Sequence, residues 1–172
     1  MSKFTLSVLV ENKFGVLARV AGLFSARGYN IDSLSVSATE DASMSRMTMV
    51  VDSDERILEQ IKKQLNKLID VIKVIDLTAK KYIDRELVLV NVKMSGQNKQ
   101  KIIQAVDSVG ARVLDVGKET ITIEETGDAA KVNALIELLR PFGITEVVRT
   151  GRIVIQTEDE KKEETPDGKD LL

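Results

Sequence analysis

The 172-residue chain has no cysteine and no histidine. Those two absences exclude Cys/His zinc sites, thiol nucleophiles, Ser-His-Asp triads and the imidazole general base. Aromatic residues make up only 3% of the chain, which leaves few rings for base stacking, and the net charge of −2 offers no basic surface to nucleic acid. No apolar run approaches the roughly 18 residues of a membrane span, and no basic-then-apolar leader opens the chain. The expectation is a cytoplasmic protein without membrane or nucleic-acid partners. What is present is a hydrophobic share of 43%, enough for one domain or two small ones with real cores.

The hydrophobic pattern reads as the same unit twice. The first unit is expected as strand 4–10, helix 15–27, strand 31–38, strand 46–52, helix 55–68 and strand 71–78. Its first strand alternates Phe4, Leu6, Val8 and Val10 on one face. Its first helix places Val16, Leu17, Val20, Leu23 and Phe24 on one stripe, and its second has Ile57, Leu58, Ile61, Leu65 and Leu68, with Asp54 as N-cap. The second unit is expected as strand 86–94, helix 98–109, strand 112–116, strand 120–125, helix 129–139 and strand 145–155. In it Val132, Leu135, Ile136 and Leu139 form the last helical stripe, and Pro141 and Gly143 end that helix. Each unit is β-α-β-β-α-β. The fold class is α+β: two tandem ferredoxin-like units, antiparallel sheets with the helices on one face. The expected divisions are 1–78, a linker at 79–85 within a second unit 79–157, and a charged tail 158–172.

Two places expose backbone in the first unit. Gly15 opens a helix whose unpaired N–H groups favour an anion. Gly28, Tyr29 and Asn30 make the turn into the next strand. The expectation is that both stand at one end of the strand-helix-strand unit, a setting suited to a small zwitterion. Each residue also has a plain structural reading: Gly15 as a helix start, Asn12 as a loop residue or cap, Asn30 as a turn residue. The small residues Ala18 and Gly22 fit a close helix approach across a dimer or ordinary surface equally well. The acidic groups Asp52/Asp54/Glu55 and Glu124/Glu125 are read as structural, the first as a helix start. Met44, Met47 and Met49 are read as core filling or a subunit contact.

Residues 6–12 (LSVLVEN), 15–24 (GVLARVAGLF), 27–34 (RGYNIDSL) and 45–48 (SRMT) together resemble an ACT domain. Residues 60–71 (QIKKQLNKLIDV) and 85–90 (RELVLV) extend the likeness to the small, regulatory subunit of acetolactate (acetohydroxyacid) synthase. The resemblance covers most of the chain except the tail. It implies an N-terminal ACT domain that binds an amino acid and dimerises, followed by a C-terminal ferredoxin-like regulatory domain. It implies a non-catalytic subunit that activates a large catalytic partner in branched-chain amino acid biosynthesis and confers feedback inhibition by L-valine. Thiamine diphosphate, Mg²⁺ and FAD belong to that large subunit, and none is expected in this chain.

The resemblance also places the effector site, at Asn12, Gly15, Val16, Leu17, Asn30 and Ile31, with the ACT domains paired edge to edge. No residue is assigned a catalytic or metal-binding role. Lys13 and Phe14 depart from the Ser or Glu frequent there in the family, which bears on ligand preference. The alternative is a stand-alone amino-acid-binding ACT-type dimer with no catalytic client. It lacks any helix-turn-helix addition or basic surface for acting on DNA.

Overall fold

A computed structural model describes residues 2–157. The first unit runs β1 (Ser2–Glu11), α1 (Val16–Ser25), β2 (Ile31–Ala38), β3 (Met44–Ser53), α2 (Glu55–Leu65) and β4 (Val71–Asp76). Its sheet has the order β2-β3-β1-β4, and every pairing is antiparallel. The alternation in β1 puts Phe4, Leu6, Val8 and Val10 into a core closed by Val16, Val20, Leu23 and Phe24 of α1 and by Leu58, Ile61 and Leu65 of α2. Met47 and Met49 fill the same core, the role that an unbranched thioether suits.

The second unit runs β5 (Tyr82–Lys93), α3 (Lys99–Val109), β6 (Arg112–Val116), β7 (Thr120–Gly127), α4 (Ala129–Leu139), a short 3₁₀ turn (Arg140–Phe142), β8 (Ile144–Arg149) and β9 (Ile153–Gln156). Its main sheet repeats the topology as β6-β7-β5-β8. Val88, Val90, Val92, Ile121 and Ile123 face Ile102, Val106, Val132, Leu135 and Leu139 from the two helices. The expected pair of ferredoxin-like units is therefore the observed architecture.

Four expectations of the fold need correction. Helix α2 stops at Leu65, not 68: Asn66 Nδ2 donates to the Lys62 carbonyl, and tight turns carry Leu68 back onto the core. Leu17 leaves the expected stripe and is 45% exposed. The final strand is two strands, broken where Gly151 takes φ +79°. The break lets β9 pair with Tyr82–Arg85, residues expected as linker, so β5 begins four residues early. The expected tail 158–172 lies outside the described residues.

The β5–β9 ribbon has a covering role. Thr5, Ser7, Thr48 and Val50 point away from the helices of the first unit, yet all are buried. Val154, Ile155 and Gln156 share a cavity with Ser7, Arg46, Ile75 and Leu77, which places the ribbon across that face. The far side of the first sheet is thus roofed by the second unit.

Asp54 accepts a hydrogen bond from the Ile57 N–H at 2.8 Å and caps α2 as expected. Asp54→Ala is expected to cost about 1 kcal/mol, read from the urea midpoint; an unchanged midpoint would deny the cap any energetic role.

Candidate functional site

The loop after β1 is held from two sides. The Glu11 N–H donates to the Asp70 carbonyl (2.8 Å) and the Asn12 N–H to the Ser43 carbonyl (2.7 Å). The Asn12 side-chain NH₂ donates to the Ala42 carbonyl (2.9 Å), so the β2–β3 turn fixes the amide's orientation. That turn is set in its own right: Asp41 accepts from the backbone and hydroxyl of Ser43. The Ser43 hydroxyl, and then its N–H, hold the Asp41 carboxyl below the usual carboxylate range.

Gly15 has φ +82° and stands at the N-cap of α1 without a side-chain cap. A left-handed cap favours glycine, and a residue without a side chain leaves the Leu17 and Ala18 N–H groups open, while the Val16 N–H makes a long 3.4 Å bond to the Lys13 carbonyl. The first turn of α1 carries no acid. Instead the Arg19 guanidinium lies over it, with Nη1 3.2 Å from the point where a Cβ on Gly15 would sit. Nε and Nη2 of Arg19 are each 2.7 Å from Asp70 Oδ2, which anchors the group in place. The helix end and the guanidinium share one sign of charge, an arrangement suited to an anion, with Asp70 offsetting part of the charge of Arg19. Arg19 escapes a reading of the sequence because it appears there as one more basic residue on the polar face of a helix. Only the fold brings Asp70, 51 residues away, beside it.

The other candidate residues fall in three environments. Val16 is 3% exposed, its side chain belongs to the core, and its N–H makes a long 3.4 Å bond to the Lys13 carbonyl. Leu17 faces out, and Phe14 is fully exposed at the loop tip. Beside Phe14, Lys13 pairs with Glu11 at 2.8 Å; this hydrogen bond, then the charge of Glu11, raises the lysine's pKa. Asn30 is exposed and its NH₂ donates to Asp32 Oδ1 at 2.8 Å, while Ile31 packs its partly buried side chain on the core.

These residues do not meet within one chain. Ile31 is level with Val51 and hence with Phe4, whereas Ala38 is level with Ser45 and hence with Val10. These two levels are about 20 Å apart along the strands, and Asn30 and Asn12 lie beyond them, at opposite ends of the sheet. The expectation that Gly15 and Gly28 stand at one end of the unit is incorrect. α1 runs antiparallel to the strands it connects, so its N-terminus follows the end of β1 and its C-terminus precedes the start of β2, at the other end. Within a single chain the candidate residues fall in two separate groups.

Three residues of the acidic clusters make structural contacts. Asp54 caps α2, Glu124 pairs with Arg112, and the buried Glu125 carboxylate is 2.8 Å from Lys131 Nζ. Among the described residues no group of three or more acidic side chains is placed to hold a metal ion. No described helix is long and apolar enough to cross a membrane.

Tandem βαββαβ units whose first helix starts uncapped at a glycine fit an ACT-type protein. The family described as the AHAS small subunit-like ACT domain matches residues 6–73, and the one described as the small subunit of acetolactate synthase matches residues 85–158. The chain is 53% identical over 147 residues to the acetolactate synthase small subunit of Mycobacterium leprae, covering 86% of this chain and 87% of that one. It is 48% identical over 153 residues to a probable acetolactate synthase small subunit of Archaeoglobus fulgidus, covering 89% and 96%. The crystal structure of the acetolactate synthase small subunit from Thermotoga maritima superimposes with a TM-score of 0.82 at 36% identity, covering 92% of this chain and 99% of that one. The chain belongs to the acetolactate synthase small-subunit family.

Proposed function

We propose that this chain is the regulatory subunit of acetolactate synthase, raising the turnover of a large catalytic subunit and conferring inhibition by valine. The observation that carries the effector part is the division of the site. Asn12 and Gly15 stand at one end of the first sheet and Asn30 at the other, immediately before the edge strand β2. An antiparallel β2–β2 pairing between two copies about a twofold axis puts the Ile31 end of one β2 against the Ala38 end of the other. Ala38 is level with Val10, the strand that leads into Asn12. Each of two equivalent pockets then takes its loop from one copy and its Asn30 from the other.

In such a pocket the ligand carboxylate meets the open N–H groups of α1 beneath Arg19. The amide oxygens of Asn12 and Asn30 accept from the ammonium, since both NH₂ groups are already committed to Ala42 and Asp32. Leu17 and Ile31 contact the isopropyl group. Discrimination of valine from its one-methylene-longer relatives in an apolar pocket is worth about 1–3 kcal/mol, so leucine and isoleucine are expected to act more weakly rather than not at all.

Thiamine diphosphate, Mg²⁺ and FAD are assigned to the large subunit, and chemistry on pyruvate with them. The test is acetolactate formation from pyruvate by the purified chain, by its large subunit, and by both with and without valine. The expected results are no turnover by this chain, a rise when the two are mixed, and a fall on adding valine. Turnover by this chain alone contradicts the proposal. So does a large subunit indifferent to it, which favours the stand-alone amino-acid-binding dimer.

A further inference from the structure

We infer that the contact of Ser33 with the turn Thr150–Gly151–Arg152 is the link through which occupancy at Asn30 is felt by the second unit; the inference rests on the effector reading above.

Asp32 is an extra residue in β2: Ile31 is level with Val51 and Ser33 with Val50, so two steps on β2 answer one on β3. A bulge is a place where a strand bends locally, and this one adjoins the half-site. Asp32 accepts from the Asn30 NH₂ at 2.8 Å with one oxygen and lies 3.2 Å from Lys3 Nζ with the other. A ligand ammonium that draws Asn30 therefore pulls on the bulge.

The next residue, Ser33, touches the second unit. Its hydroxyl oxygen accepts from the Arg152 N–H at 3.3 Å. Gly151, at φ +79°, packs so closely that a Cβ there would lie 2.9 Å from Ser33 Oγ and 3.2 Å from the Leu34 carbonyl oxygen. Glycine is required twice over, by conformation and by space. On its far side the turn is tied into the second unit. The Thr150 N–H donates to the Leu87 carbonyl and its hydroxyl accepts from the Leu87 N–H, both at 3.1 Å. Arg149 pairs with the buried carboxylate of Glu86 on β5 and donates to Asn133 on α4 at 3.1 Å. A shift of β2 at Ser33 is thus delivered to β5 and α4. Around this contact the two units stand apart across a polar cavity of about 450 Å³, where Lys3, Arg149 and Arg152 are each paired with an acid, so the seam has room to move.

The test uses the full chain with its large subunit. Gly151→Ala inserts a methyl group where Ser33 and Leu34 stand. It is expected to leave valine affinity of the isolated dimer within about threefold and activation intact, while activity remaining at saturating valine rises at least about threefold. Amide exchange in the unmodified chain supplies a second readout that needs no variant: the Arg152 N–H is expected to change its exchange rate on adding valine. Inhibition of Gly151→Ala equal to that of the unmodified protein overturns the inference. Parallel loss of valine binding in the isolated variant, or Arg152 exchange indifferent to bound valine, overturns it as well. Absence of valine binding by the unmodified chain instead removes the effector reading, and the link with it.

Discussion

Gly15→Asp is expected to abolish valine inhibition while leaving activation of the large subunit intact. The position is strained for any residue with a Cβ, at φ +82°, but strain is the smaller part of the effect. The new Cβ sits 3.2 Å from Arg19 Nη1, so the added carboxylate lands between the guanidinium and the open end of α1. It occupies the anion place from within the chain and repels the ligand's own carboxylate. Gly15→Ala separates the two causes, since it carries the strain without the charge. Asn30→Ala acts from the other half-site by removing the acceptor for the ammonium. A hydrogen bond to a charged group is worth about 1.5–3 kcal/mol, so valine affinity in that variant is expected to fall about 10- to 100-fold. Isothermal titration and inhibition curves measure both, and unchanged affinity in both variants places the site elsewhere.

Phe24→Ala is expected to destabilise the first unit by about 3–5 kcal/mol, a large share of the total stability of a domain this size. Phe24 is 1% exposed and packs in the core near the end of α1. Its carbonyl accepts from the N–H groups of Arg27 and Tyr29, at 3.1 and 3.0 Å, so it also ties down the turn that presents Asn30. Loss of the ring leaves a cavity under that turn. Urea unfolding is expected to show a lowered midpoint, and weaker valine binding is expected under conditions where the variant stays folded. A cost below about 1 kcal/mol would mean that the site collapses around the deletion.

The elements whose existence depends on local pattern are readable in the chain itself. The bounds of β2, β6 and α4 coincide with expectation, and Asp54 caps the helix its position indicates. Elements decided by distant partners are not. Tyr82–Arg85 carries two charges in four residues and reads as linker, yet pairing with Ile153–Gln156 makes it strand. That pairing goes with a break in the last strand at Gly151.

The candidate site shows the same division. The types of residue at 12, 15 and 30 are visible in sequence, but their order along the chain hides that α1 separates them. The guanidinium of Arg19 gains its place from Asp70 on the turn before β4, and the inward aim of Val16 follows from the helix phase that also turns Leu17 outward.

A site divided between two copies has a consequence that no site within one chain shares, and mixing two variants impaired in valine binding measures it. In a dimer of one Gly15→Asp chain and one Asn30→Ala chain, one pocket receives both lesions and the other receives neither. With random exchange of subunits, valine binding is expected to return in about a quarter of the pockets, since half the dimers are mixed and each restores one of two. Titration of the co-refolded mixture, beside each variant alone, reads this directly. Recovery of about a quarter of the high-affinity sites is the result that the shared pocket requires. A mixture that binds no better than its two components, once mixed dimers are shown to form, contradicts it.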